Sequence, residues 1–334
     1  MASPSRITSI APRRAIEGGR VTLYGESFDI DHTPAPSVLI GGVPARVVFA
    51  GPDRLVVEVP SGLSDGGPTR VQVDGMSADN QAIQIAFPLA TGLHQVDSPV
   101  FDRAGNLYVT YSGTRGQQVP VSIFRVRPNG TRETFSSGIV NPTSMAVGPD
   151  DHLYVSSRFE GTVYRLSDEG AAEAYATDLG VACGLAFAPD GTLFVGDRTG
   201  TVFKVDQAGH ALAFAMLPSS VAAFHLALAR DGSLFVTGPT LSTYDTVYHI
   251  TPEGKTLELS QAFGRPQGLA IGPDGSLFVV EALAGASGVY RLPAAGMPEL
   301  VLSGPGLVGV AFDKHGGMVV CSNDTAYRLW DHSS

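Results

Sequence analysis

Three residues with chemically active side chains, Asp97, Cys183 and His225, stand near the starts of strands in separate copies of one repeated phrase. A carboxylate, a thiol and an imidazole could together hold one divalent metal ion, Zn²⁺ or another transition metal, at tetrahedral geometry. They could equally form a nucleophile system in which His225 deprotonates Cys183 and Asp97 orients the imidazole. The alternative is structural, because a cysteine at the start of an inner strand is commonly a small buried apolar residue. His225, between Phe224 and Leu226, then becomes a core imidazole.

A second group of polar residues stands where the repeats begin their first strand or end their second. This group predicts contact with a small polar or anionic ligand: Arg158, Asp197, Arg198, Gln267, Glu281 and Asn323. Arginine suits such a ligand because its guanidinium presents a planar fork of donors to a carboxylate or phosphate. A polar, solvated rim without any ligand is the alternative interpretation.

The elements that position these residues come from a phrase written six times: an apolar stretch, a turn of the Asp-Gly type, then Leu-aromatic-Val or a variant of it. Its anchor residues recur every 40 to 46 positions, at Leu107, Leu153, Leu193, Leu234, Leu277 and Met318. A period near 40 residues with several strands per unit is typical of a β-propeller blade. The sequence therefore predicts six blades, with the polar residues above around the mouth of a central channel.

The last repeat ends after residues 325–331 and has no fourth strand of its own. The stretch 85–92 precedes the first repeat and is similar to the missing strand. We therefore expect the ring to close by this N-terminal strand completing the sixth blade, which removes exposed sheet edges. The predicted domains are residues 1–87 and residues 88–334.

Residues 1–87 lack the repeated phrase and contain short strands separated by Gly, Pro and Asp clusters, as in a small β-sandwich. The predicted fold class is therefore all-β, a small immunoglobulin-like sandwich followed by a six-bladed propeller. The stretches 7–12, 18–28, 38–45 and 55–60 resemble the TIG or IPT immunoglobulin-like domain. This resemblance implies a spacer, a stacking module or a surface-adhesion module, and no catalysis.

The composition of the chain limits the classes of partner that it can bind. The chain has 334 residues and a formal net charge of −10, which argues against nucleic acid because no basic surplus neutralises phosphates. No apolar run approaches the ~20 residues of a membrane span, and the first residues lack the apolar core of a secretory signal. We therefore expect a cytoplasmic protein unless an export signal upstream has been removed, and a small polar molecule or a peptide as partner.

The repeats resemble the NHL-type propellers and the senescence marker protein/gluconolactonase superfamily in the stretches 97–102, 183–191 and 267–270. In the lactonases a divalent cation is held by Glu, Asn and Asp, and the matching positions here are Asp97, Cys183 and His225. None keeps the family's residue, and a thiol and an imidazole do not suit Ca²⁺ or Mg²⁺. The streptogramin lyases, which are similar propellers, imply a base and a metal ligand at His225 and Glu281.

Two hypotheses about function follow. The first is a recognition module that binds a small polar ligand or a peptide at the channel mouth, with the sandwich as a spacer. The second is a gluconolactonase-like hydrolase or lyase with a rebuilt metal or Cys-His site.

Overall fold

A computed structural model describes residues 6–30, 36–63, 65–94, 98–283, 285–293 and 297–329. The described residues form strands, turns and loops and contain no helix, as the all-β prediction requires. The Gly- and Asp-rich turns between strands place Gly191, Gly232, Gly275 and Gly316 at positive φ, where a Cβ is disfavoured. These turns explain why the Asp-Gly phrase recurs once per repeat.

The N-terminal part is a sandwich whose strands wrap around one apolar core. Its strands are β1 Arg6–Ala11, β2 Arg14–Ala15, β3 Arg20–Glu26, β4 Val38–Ile40, β5 Val43–Ala50, β6 Arg54–Glu58, β7 Gly67–Val73 and β8 Met76–Ile85. Strand β5 pairs with β4 at its start and with β6 at its end, so the chain turns from one layer to the other along this strand. Alternate residues such as Val21, Leu23, Leu55 and Val57 are fully buried between the layers.

Twenty-four strands follow in the C-terminal part. They are β9 Phe87–Ala90, β10 Val100–Phe101, β11 Leu107–Thr110, β12 Ile123–Val126, β13 Arg132–Ser136, β14 Pro142–Val147, β15 Leu153–Ser157, β16 Thr162–Leu166, β17 Ala172–Ala176, β18 Ala182–Phe187, β19 Leu193–Asp197, β20 Thr201–Val205, β21 Ala211–Met216, β22 His225–Leu228, β23 Leu234–Thr237, β24 Asp245–Ile250, β25 Thr256–Phe263, β26 Pro266–Ile271, β27 Leu277–Glu281, β28 Gly288–Leu292, β29 Glu299–Ser303, β30 Leu307–Phe312, β31 Met318–Ser322 and β32 Ala326–Arg328.

These strands form a β-propeller in which five sheets of four antiparallel strands stand by themselves. Strands β26 to β29 repeat the same four-strand order, but β2 joins them to the sandwich in one twelve-stranded sheet. The first strands of successive sheets, such as β14, β18, β22, β26 and β30, contact one another in chain order, as inner strands around a channel do.

The ring is closed by β9, which pairs antiparallel with β32 in the sheet of β30 and β31. This pairing is the one predicted from the missing fourth strand. Ala90 lies opposite Ala326, and Phe87 lies opposite Arg328. Ala90 is buried with Leu93 in the cluster that joins the last and first sheets, so the closing strand also contributes to the core.

The sandwich is attached to the propeller through the short strand β2. Ala15 pairs in parallel with Ile85 of the sandwich on one side and with Ser303 of the propeller on the other. Ile16 is 2% exposed and packs in a cluster with propeller residues that include Val280 and Leu307. A shared sheet and a shared apolar cluster hold the two parts together. The connection between them therefore does not depend on the linking segment alone.

Candidate functional site at the channel mouth

A cavity of about 480 Å³ lies at the channel mouth and is lined by six polar residues. Five of these are site residues predicted from the sequence, and the sixth is Arg265. Its polar lining comes from successive blades: Arg158, Cys183, Arg198, Arg265, Gln267 and Asn323. The rest of the lining is small or apolar, including Ala222, Ala223, Ala282 and Gly306. Small residues at these positions leave room between the arginines, and a pocket of this volume is in the range of small-molecule sites (~300–1,000 Å³).

The arginines are placed by the strand ends. The Arg158 amide donates to the Asn141 carbonyl at 3.3 Å, and the Arg198 amide donates to the Val181 carbonyl at 3.1 Å. These two hydrogen bonds occupy equivalent positions in neighbouring blades. The main chains of Arg158 and Arg198 therefore lie at the same height along the channel axis. Arg265 lies in the bend directly before β26 of another blade, where its carbonyl accepts from the Ala282 amide at 3.1 Å.

The charge of this cavity has one sign. Three arginines line it and no described aspartate or glutamate does, although the whole chain carries a net charge of −10. Arg198 and Arg265 are exposed, and within the described ranges neither forms an ion pair. Unpaired guanidinium groups around a concave surface attract and bind anions, because they present donors that no protein carboxylate has taken.

Two predicted ligand-binding residues, Asp197 and Glu281, do not line the cavity. Asp197 accepts hydrogen bonds from the Val181 amide at 2.8 Å and the Thr199 amide at 3.1 Å, and from the Thr199 hydroxyl. Both carboxylates are buried, at 5% and 3% exposure. Their oxygens accept from the protein's own donors, an arrangement that favours a positioning role, and direct contact with a ligand stays a prediction.

Glu281 holds the loop that carries Arg265. Its Oε1 accepts from the amides of Arg265 at 2.8 Å and Leu283 at 2.6 Å, and its Oε2 accepts from the amide of Gly264 at 2.6 Å. Three charge-assisted bonds to main-chain donors fix the chain on both sides of the strand end. Arg265 is not among the predicted site residues because the repeat points to Gln267 at the start of the strand, and Arg265 lies two positions earlier, in the Gly-Arg-Pro stretch.

Replacing Glu281 by glutamine is expected to lower the free energy of unfolding by about 1–3 kcal/mol, because the amide NH₂ faces donors and leaves one of them unsatisfied. Binding at the mouth should weaken as well, since Arg265 loses its anchor. Denaturant unfolding of Glu281→Gln against wild type measures the first effect. Glu253→Gln, an exposed turn glutamate, is the matched control and should stay within about 0.5 kcal/mol of wild type. Equal stability of both variants would contradict the positioning role.

The three residues proposed for metal binding or catalysis do not all come together in the described structure. Asp97 lies outside the described residues. Cys183 lines the cavity, although the residue as a whole is buried. His225 does not line it: the register pairs Leu185 with Val195 and Leu226 with Val236, so His225 stands one residue further along its strand than Cys183. Cys183 and His225 therefore do not occupy equivalent positions in their blades.

His225 instead reaches across the channel. Its Nδ1 lies 3.4 Å from the Ser98 hydroxyl, which belongs to the first blade, whereas the neighbours of β22 are β18 and β26. Its Nε2 is buried without a hydrogen-bond partner among the described residues. The imidazole therefore makes no hydrogen bond to the Cys183 thiol, which is the contact that a Cys-His nucleophile requires.

The described residues do not provide a metal centre. Within the described ranges no group of three His, Cys, Asp or Glu side chains is close enough to hold an ion. The partnerless Nε2 of His225 is one donor, and one imidazole does not complete the three or four ligands that Zn²⁺ requires. The three-residue metal site thus stays a prediction that depends on Asp97.

Burial lowers the pKa of His225 to about 4, below its ordinary value of about 6.5. Between pH 6.5 and 4, this histidine is therefore protonated in the unfolded chain but not in the folded one. Its contribution to stability is complete above pH 6.5 and is lost as the pH falls through 4. Between pH 6.5 and 4, the free energy of unfolding should fall by about 3 kcal/mol more in wild type than in the His225→Gln variant. Urea unfolding at pH 4 to 8 measures the difference, and parallel curves for the two proteins would disprove a buried neutral imidazole.

No described helix has the length and hydrophobicity to cross a membrane. Cys183 and Cys321 are both buried and form no disulfide.

Comparison with known proteins agrees with this architecture. Residues 4–85 match the family model of the IPT/TIG domain. A search of curated proteins finds no significant match. Among solved structures, an auxiliary nutrient binding protein from Bacteroides thetaiotaomicron is similar over 98% of this chain and 97% of its own, at 13% identity and a TM-score of 0.57.

Other similar structures cover the propeller alone. A gluconolactonase from Xanthomonas campestris matches 73% of this chain and 88% of its own, at 15% identity and a TM-score of 0.60. A streptogramin B lyase matches 73% of this chain and 96% of its own, at 15% identity and a TM-score of 0.54. The chain therefore carries an IPT/TIG domain in residues 4–85, followed by a propeller of the fold that gluconolactonases and streptogramin B lyases share.

Proposed function

We propose that this protein is a binding protein whose six-bladed propeller holds a small anionic ligand at the channel mouth. The observation that carries this proposal is the cavity with three arginines and no described carboxylate in its lining. Strands β26 to β29 are taken as the remaining blade, and residues 88–334 as the propeller domain. The IPT/TIG domain, taken as residues 1–87, acts as a rigid support through β2.

Two further observations support binding rather than catalysis. The buried imidazole and the thiol do not form a hydrogen-bonded pair. The protein from Bacteroides thetaiotaomicron that matches both parts of the chain is described as a nutrient binding protein. A gluconolactonase-like hydrolase remains the second hypothesis, and it rests on the fold of the propeller.

Isothermal titration calorimetry with gluconate, citrate and inorganic phosphate tests the proposal, with glucitol as the uncharged counterpart of gluconate. At least one anion should bind with 1:1 stoichiometry, glucitol should not, and raising the ionic strength should weaken binding because salt screens the arginines. Equal binding of glucitol and gluconate, or no binding of any anion, would overturn it. Turnover of a lactone or ester panel would favour the hydrolase instead.

A further inference from the structure

A second cavity lies between the IPT/TIG domain and the propeller. Its volume is about 530 Å³, and both parts of the chain line it. Arg20 and Glu58 come from the sandwich, and Ser287, Tyr290 and Ser303 come from the propeller. The remaining lining is largely glycine, alanine and proline, so few side chains obstruct the space.

This interdomain cavity adjoins the cavity at the channel mouth. Ala282 and Gly306 line both of them. A Cβ added to Gly306 would meet no atom within 4 Å, so the space above this residue is open. The two cavities are therefore adjacent and share two of the smallest residues in their linings.

The sandwich places its charged residues in this cavity by direct contact with the propeller. The Arg20 amide donates to the Ser303 hydroxyl at 2.8 Å. An Arg20 guanidinium nitrogen lies 3.7 Å from the position that a Cβ of Gly285 would occupy, so the side chain reaches the propeller loop. Arg20 and Glu58 face each other as paired residues of β3 and β6.

The two cavities differ in charge. The channel mouth has three arginines, whereas the interdomain cavity has one arginine and one glutamate beside serine and tyrosine. One donor group and one acceptor group of opposite charge suit the hydroxyls of a neutral sugar better than a second anionic group. At Ser303 the outer edge of β29 is already occupied by Ala15 of β2, so a peptide strand cannot pair with β29 at that point of the cavity.

We propose that the interdomain cavity is a second subsite, and that the ligand is a short oligosaccharide with one acidic end. The acid binds at the channel mouth, and the neutral sugar units extend past Ala282 and Gly306 to Arg20 and Glu58. This inference rests on the proposed function and adds that the IPT/TIG domain contacts the ligand.

Calorimetry with gluconate, maltobionate and maltotrionate tests the second subsite, because these probes share one carboxylate and differ by neutral glucose units. The affinity of wild type should rise about tenfold from gluconate to maltotrionate as further hydrogen bonds form. Arg20→Ala should lose that gain while its gluconate affinity stays within about twofold. Arg70→Ala removes the same charge from an exposed position of the sandwich that lines neither cavity, and it should keep the gain. Thermal melts check that both variants fold.

The outcomes separate the two proposals. Equal affinity for all three probes, or a gain that survives in Arg20→Ala, overturns the second subsite and leaves the channel mouth standing. Failure of every probe to bind counts against both proposals. The same gain with an acidic peptide such as tetraglutamate would overturn the assignment to an oligosaccharide.

Discussion

Replacing Arg198 and Arg265 together by alanine is expected to abolish measurable binding of the anionic ligand. A hydrogen bond to a charged group contributes about 1.5–3 kcal/mol, which is roughly a factor of 10–100 in affinity for each arginine. Both line the same cavity and neither forms an ion pair within the described part of the chain, so their loss removes donors that only a ligand uses. Calorimetry with the anion that wild type binds is the measurement.

The double lysine variant, Arg198→Lys with Arg265→Lys, is the matched control. It keeps both charges but loses the planar fork that binds two oxygens of one carboxylate. We expect intermediate affinity, and a salt dependence like that of wild type. Wild-type affinity in the double alanine variant would place the ligand elsewhere.

Removing the closing strand is expected to destroy the propeller. A chain that begins at residue 92 lacks β9, so β32 becomes an unpaired sheet edge, and such edges promote aggregation. It also loses Ala90, which is buried against the first blade. Far-UV circular dichroism and size-exclusion chromatography should show an aggregated or unfolded chain.

A chain that begins at residue 86 is the informative comparison, because it keeps β9 but loses the sandwich. It also loses Ile16, which is buried against propeller residues, and removal of a buried aliphatic side chain costs about 2–5 kcal/mol. We therefore expect a monomeric, folded propeller with a lower unfolding midpoint. If both truncated chains fold equally well, β9 does not close the ring.

The interdomain cavity suggests a role for the N-terminal domain beyond that of a spacer. The sequence predicts a spacer, and the pairing of β2 with both β8 and β29 gives it a fixed place on the propeller. A domain held in this way can contribute Arg20 and Glu58 to a binding surface at a defined position. The proposed second subsite depends on that attachment.

The repeat, the turns and the closing strand could be predicted from the sequence because each depends on local patterns. Asp-Gly turns and Leu-aromatic-Val strands are fixed by neighbouring residues, and a last repeat without its fourth strand requires a partner from elsewhere in the chain. The same phrases placed Arg158, Arg198, Gln267 and Asn323 near the mouth, where the structure has them.

The tertiary structure decided that Arg265 lines the cavity and that His225, Asp197 and Glu281 do not. His225 misses it because its counterpart in the preceding blade is Gly184 and not Cys183, since Leu185 and Leu226 hold equivalent register positions opposite Val195 and Val236, and a one-residue shift changes which side chains reach a given surface. Glu281 turns inward because three main-chain amides from two loops converge on it. The bonds from Gly264 and Arg265 to Glu281 join residues 17 and 16 positions apart in two different loops, so the pattern within a single strand carries no signal for them.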